Sequence, residues 1–184
     1  MTRGFTFPVR NTTRRVLIRP AGWADIEGMA RVAVDTWRLT YQGILPAAHL
    51  GRMRHAALEG QRSRMMHAQG VHHFVAIEQR AGEVVGFASC GPTRNAAGGV
   101  PGELYELYVQ NGFQGRGLGR RLFRAAKNQL AADGHEALVV WVLSNNPNRE
   151  FYPRMGGWLH AQKATRVGGA PIQQTAYRWR LDRV

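Results

Sequence analysis

The chain has 184 residues, 44% hydrophobic and 20% charged, with a single cysteine, Cys90; that length supports one sizeable core and therefore one domain. Twenty-five Lys plus Arg against 12 Asp plus Glu give a formal charge of +13, which admits nucleic acid, an anionic membrane surface or a phosphorylated ligand without choosing among them. One cysteine excludes an intrachain disulfide framework and a cysteine zinc cage and fits a reducing, cytoplasmic compartment, and no run of 18 apolar residues offers a membrane span.

Only Lys127 and Lys163 are lysines, an arginine bias that GC-rich coding explains as well as phosphate binding does. Residues 1–15 read as a basic, flexible N-terminal arm: Arg3, Arg10, Arg14 and Arg15 occur without an acid, and neither a secretory apolar segment nor the amphipathic stretch of a transit peptide is present. Residues 16–184 form the domain. Within it, residues 16–19 are a short strand ended by Pro20, and Ile26, Met29, Ala30, Ala33, Val34 and Trp37 recur at helical spacing. Gly43 and Pro46 interrupt that helix, and residues 47 to about 67 make one or two further helical pieces. Residues 72–77 and 84–88 flank a turn and predict a hairpin. A Gly/Pro/Asn loop at 93–102 leads to a strand over 103–109, a turn over 110–116 and a helix over about 117–132, striped by Leu118, Leu122, Ala125, Ala126 and Leu130. The apolar run 137–143 is a buried strand. A turn at 144–148, a short helix at 149–155 and two strands around Leu159 and Tyr177 complete an α/β pattern on one mixed sheet.

The most informative segment is Gln114-Gly115-Arg116-Gly117-Leu118-Gly119, between a strand and a helix. Three glycines in five residues let the backbone approach a ligand and turn N–H groups outward, and the helix start adds partial positive charge, so the segment suits phosphate. Arg116, Arg120, Arg121, Arg124 and Lys127 add formal charge. A Walker A loop fails because Arg120-Arg121 follows Gly119 instead of Lys-Ser/Thr, and a dinucleotide fingerprint starting at Gly115 fails because position 120 is Arg. The surviving pattern is Gln114-x-x-Gly117-x-Gly119, a pyrophosphate loop.

With residues 103–109 before that loop and Asn145-Asn-Pro-Asn148-Arg-Glu-Phe151-Tyr152-Pro-Arg-Met-Gly156 after the next strand, the chain resembles the GCN5-related N-acetyltransferase (GNAT) superfamily over roughly residues 16–181. Trp37-x-x-x-Tyr41-x-Gly43-x-x-Pro46 is also similar to the first helix connection of small bacterial members. The resemblance implies a single domain with a mixed, mostly antiparallel sheet of about seven strands, splayed between the fourth and fifth and flanked by about four helices. It implies acetyl-CoA as cosubstrate and direct transfer to a primary amine in a ternary complex. The pantetheine arm would pair with Leu107, Tyr108 and Val109, and the pyrophosphate would lie on Gln114, Gly115, Arg116, Gly117, Leu118, Gly119 and Arg120. The Val109 amide would face the thioester oxygen, and Asn145 or Asn148 would touch the arm.

By the same resemblance Tyr152 is the candidate acid for the leaving thiolate and a contact of the cofactor. Glu103 and Glu106 are candidate bases, with Glu103 ranked first because the histone-acetylating branch carries its base six residues before the position of Val109. The two have opposite parity on an ideal strand, so one at most faces the site unless a bulge shifts the register. Trp37 and Tyr41, one turn apart, either wall the acceptor pocket or belong to the core. No metal is expected, since His72 and His73 are strand neighbours that point to opposite faces. The acceptor is a small-molecule or peptide amine and a homodimer is allowed. The alternatives are a nucleic-acid-binding module that uses the basic surface, which lacks any recognisable motif here, and an acetyltransferase of a tRNA- or ribosome-associated acceptor.

Overall fold

The computed structural model describes residues 15–94 and 101–182; the arm before residue 15 and most of the predicted 93–102 loop lie outside these. Among the described residues seven strands form one sheet in the order β1-β2-β3-β4-β5-β7-β6, with β1 Val16–Pro20, β2 His72–Glu78, β3 Glu83–Pro92, β4 Gly102–Val109, β5 Ala137–Leu143, β6 Trp158–Val167 and β7 Ala170–Arg180. All neighbours are antiparallel except β4 and β5, which run parallel. Five α-helices accompany the sheet in these residues, against the four or so expected: α1 Ile26–Thr40, α2 Ala47–Arg52, α3 His55–Met66, α4 Leu118–Ala132 and α5 Phe151–Arg154. The segment after Pro46 splits into α2 and α3 because Met53 and Arg54 take extended backbone angles between them.

Each face of the sheet has its own core. Leu118, Leu122, Phe123, Ala126 and Leu130, the inward stripe of α4, pack with Val85, Ala88, Cys90, Leu104, Leu138 and Val140. Each large apolar side chain fully buried in this way contributes about 1.5–3 kcal/mol of transfer free energy. Cys90 sits in this cluster without solvent contact, and burial pushes its thiol up to about 12, the behaviour of a small buried hydrophobe. On the opposite face Met29, Val32 and Ala33 of α1 pack on Val75, Val84 and Phe87. A third cluster, with Tyr41, Leu45, Leu50, Leu143 and Ile172, closes the end of α1 against β5 and β7.

Adjacent histidines divide between the faces. His72 pairs with Asp133 at the end of α4 at 2.9 Å, and His73 points the other way to Ser89 Oγ at 2.8 Å. Among the described residues no three His, Cys, Asp or Glu side chains converge, and no helix is long and apolar enough to cross a membrane.

Candidate active site

The site begins where the sheet comes apart. Strands β4 and β5 pair only through Gly102↔Leu138, Glu103↔Val139 and Leu104↔Val140. Just beyond, Leu104 pairs with Cys90 and Glu106 with Ser89, so Tyr105 is one residue too many for β3 and bulges. Such an insertion bends the strand that carries it, and β4 leaves β5.

The bent half of β4 keeps its bonds to β3. The Gln110 amide donates to the Val85 carbonyl at 2.9 Å, and backbone groups alternate direction along a strand. Leu107 and Val109 therefore turn their N–H and C=O groups to the edge that β5 has vacated. The Val109 carbonyl accepts from Gln114 Nε2 at 2.9 Å, which ties the following loop to this edge.

Beyond the bulge opens a cleft of about 620 Å³. Leu107, Tyr108 and Val109 line one side, and Gln114, Gly115 and Gly117 to Arg120 continue it. Asn146 to Asn148, Phe151 and Tyr152 face them, and Thr36, Thr40 and Tyr41 at the end of α1 close it. Gly117 is the N-cap of α4 with φ +76°, a left-handed angle that side chains with a Cβ adopt at a cost, and no atom lies within 4 Å of the place a Cβ would take. The Arg121 amide bonds the Gly117 carbonyl at 3.1 Å, so the amides of residues 118–120 precede the intrahelical ladder and are donors at the positive end of α4. Open space, free amides and a helix dipole together fit a pyrophosphate.

Tyr152 stacks on Tyr177 with centroids 5.8 Å apart and meets Trp179 edge-on. Burial, and then the neighbouring Tyr41, push its phenol well above the ordinary range, so it keeps its proton at neutral pH. Tyr41 is itself buried and pushed up to about 12; Asn146 Nδ2 donates to its oxygen at 2.8 Å. Trp37 does not line the cleft. It packs against Tyr41, and its Nε1 donates to the Tyr108 hydroxyl oxygen at 2.7 Å.

The bulge also settles the parity of the two glutamates. Ser89 and Gly91, two apart on β3, stand opposite Glu106 and Glu103, so both carboxylates lie on the α1 side of the sheet. The Glu103 side chain is 1% exposed and is taken up by the Arg94 backbone amide at 2.9 Å and by the Arg94 guanidinium. Glu106 is 20% exposed, accepts from Arg62 Nη2 at 2.9 Å and from Ser89 Oγ at 3.2 Å, and its charge reaches the Tyr108 phenol. Neither carboxylate lines the cleft directly.

A family description, the acetyltransferase (GNAT) domain, matches residues 69–156. The N-acetyltransferase YuaI of Bacillus subtilis (strain 168), itself uncharacterized, is 34% identical over 165 residues, covering 89% of this chain and 92% of the relative. The chain belongs to the GNAT superfamily of N-acetyltransferases. A GNAT-family structure from Desulfovibrio desulfuricans superposes with a TM-score of 0.68 at 26% identity, over 91% of this chain and all of that one. The PaiA N-acetyltransferase of Thermoplasma acidophilum, solved in complex with coenzyme A, shares the fold with a TM-score of 0.65 at 18% identity, over 90% and 99% of the two chains.

Within this acetyltransferase, the fold brings Leu107, Tyr108, Val109, Gln114, Gly115, Gly117, Leu118, Gly119, Arg120, Asn148, Tyr152 and Tyr41 around one cleft. Arg116 instead lies over the Phe113 ring, its Cζ 5.6 Å from the centroid, and Asn145 is exposed outside the lining. Asn146 lines the cleft although the motif points to its neighbour. Arg62 and Thr36 carry no sequence signal: one is a buried cation on a helix without a continuous apolar stripe, the other a small residue among helical neighbours.

Proposed function

We propose that this acetyltransferase takes its acetyl group from acetyl-CoA and passes it directly to a primary amine while both are bound. The vacated edge of β4, running straight into the glycine loop at the start of α4, carries the proposal. A pantetheine arm can replace β5 as hydrogen-bond partner of Leu107 and Val109, with the pyrophosphate on the amides of residues 117–120 and Arg120 beside it. The coenzyme A bound to the Thermoplasma acidophilum relative supports this reading.

In the transfer the amine nitrogen bonds to the thioester carbon, the carbon–sulfur bond breaks, and the sulfur leaves with a proton from the Tyr152 hydroxyl. The Val109 N–H, on the edge of β4 beyond its pairs with β5, stabilises the oxyanion. Glu106 takes the place of Glu103 as the carboxylate that receives the amine proton: both are paired with an arginine, but Glu103 is closed off from solvent, whereas Glu106 is partly open and stands behind Tyr108. Proton passage from the cleft to Glu106 runs past the Tyr108 hydroxyl.

Isothermal titration with CoA, paired with thiol release in the presence of amines, tests the reading. Wild-type protein binds CoA and releases thiol when an amine is supplied, and Gly117→Glu binds CoA at least about 100-fold more weakly because a carboxylate enters the phosphate cradle. Equal CoA affinity of the two proteins would remove the cleft from the mechanism.

A further inference from the structure

The end of the cleft nearest α1 is built from three hydroxyl groups whose bonding is incomplete. A hydroxyl has one proton to donate and two lone pairs to accept with. The Tyr41 oxygen accepts from Asn146 Nδ2 at 2.8 Å, and the Tyr108 oxygen accepts from Trp37 Nε1 at 2.7 Å. Among the described residues neither phenol has an acceptor for its own proton. An incoming N–H polarises a hydroxyl and strengthens it as a donor, and burial, the largest cause in both cases, raises both phenols so that the protons stay in place.

The third hydroxyl is Thr36 Oγ1. It is shut off from solvent with no hydrogen-bond partner among the described residues, and its residue lines the same end of the cleft. A buried polar atom without a partner carries a cost, and Thr36 leaves the two phenols as the donors that face this end of the cleft. Tyr41, Tyr108 and Thr36 put no ionised side chain in this wall: Glu106 stands behind Tyr108 and is paired with Arg62, and Glu150, the one carboxylate among the residues lining the cleft, is paired with Arg149. A polycation would find no unpaired carboxylate at this wall, and a plain alkylamine would leave two polarised donors unmet.

We infer that the acceptor carries an oxygen next to its amine, as in an α-aminoacyl group, and that Tyr41 and Tyr108 donate to that oxygen. The shared chemistry is a primary amine on the carbon next to a carbonyl, presented by an amino-acid derivative or by a peptide N-terminus. This rests on the acetyltransferase reading above and adds the substrate class to it.

The test compares kcat/KM by thiol release for glycinamide, for a glycine-starting tripeptide amide, and for propargylamine, an amine of similar basicity with no oxygen. Wild-type protein prefers the two carbonyl-bearing amines by at least about tenfold, since a site with buried donors discriminates strongly against ligands that leave them unpaired. In Tyr41→Phe and in Tyr108→Phe, which keep the ring and remove only the hydroxyl, the preference ratio falls toward one whatever the absolute rates. A faster tripeptide assigns the site to peptide N-termini, and a faster glycinamide to amino-acid derivatives; both support the inference. A ratio near one in the wild type, or a ratio unchanged in both phenylalanine variants, overturns it. Absence of turnover with every amine, propargylamine included, overturns the transferase reading itself and is thereby told apart from a failure of specificity.

Discussion

Tyr152, the proposed acid, is kept from ionising early by the fold: stacked on Tyr177 and buried, it holds its proton across the neutral range. Tyr152→Phe is expected to lower kcat by about 10²–10⁴-fold, the span of a general-acid contribution, with the CoA dissociation constant unchanged in titration. Arg62, 1% exposed, has Glu106 as its only ion partner among the described residues, so Glu106→Gln leaves a buried cation without its counter-charge. That loss costs about 3–5 kcal/mol, read as a lower midpoint in urea unfolding. Asp25 gives a pH-dependent contribution. Burial opposes its charge, but Arg19 at 2.7 and 2.9 Å and the Gly22 amide outweigh burial and hold the carboxyl below its ordinary 3.8. Its stabilisation is therefore complete above that value and disappears as the pH falls through the lower folded value, a slope that Asp25→Asn should remove from an acid-unfolding curve. At this scale the sequence is legible where a motif fixes a backbone position and less so where side-chain direction matters. Gln114 and Gly117 fall where the loop pattern puts them, whereas Asn146 and not Asn145 faces the cleft, because a turn of Asn146 N–H onto the Leu143 carbonyl rotates the pair. The orientation of the glutamates depends on the Tyr105 bulge, which no alternation of residue types announces.

Helix α4 shows an element that its sequence writes almost completely: an apolar stripe every three to four residues, a glycine at the cap and arginines on the outer face. Its N-terminus is also where a backbone angle can be tested apart from charge. Gly117→Ala should lower stability by about 1–2 kcal/mol, the cost of a Cβ in a left-handed conformation, yet retain more CoA affinity than Gly117→Glu; calorimetry and titration on the same samples separate the two effects. Helix α3 is the opposite case. Its apolar residues make no continuous stripe; Leu58 packs on the Val75 and Phe87 cluster, and Arg62, the one fully buried side chain of the helix, bonds Glu106 and lies 4.7 Å from the centre of the Phe87 ring. Periodicity finds helices that dock by apolar stripes; one whose most buried anchor is a guanidinium is hard for it to see. The α2–α3 boundary is hidden for a related reason, since nothing in Met53-Arg54 marks a break as Gly43 and Pro46 do.

Over the whole molecule, element order and strand periodicity are enough to anticipate a seven-strand mixed sheet, because most strands are consecutive hairpins and the one parallel pair is bridged by α4. The charge of +13 belongs to the chain as a whole, and it should tune attraction for an anionic ligand. CoA affinity is expected to weaken as salt rises from about 0.01 M to about 1 M, where the screening length shrinks from ~30 to ~3 Å; a flat profile in titration would mean that the short-range amides alone hold the phosphates. The parting of β4 from β5 has a mechanical consequence as well. The two leaves of the sheet are stitched by three residue pairs at one end, and across the gap the Tyr41–Asn146 hydrogen bond joins the apolar cluster of Tyr41, Leu45, Leu50, Leu143 and Ile172 as a rivet. A cosubstrate lying along the vacated edge would act as a removable eighth strand, so that each round of transfer unzips and rebuilds part of the sheet. The amides of Leu107 and Val109 should then exchange with deuterium quickly in the free protein and slowly with CoA bound, making the protein stiffest when it is loaded.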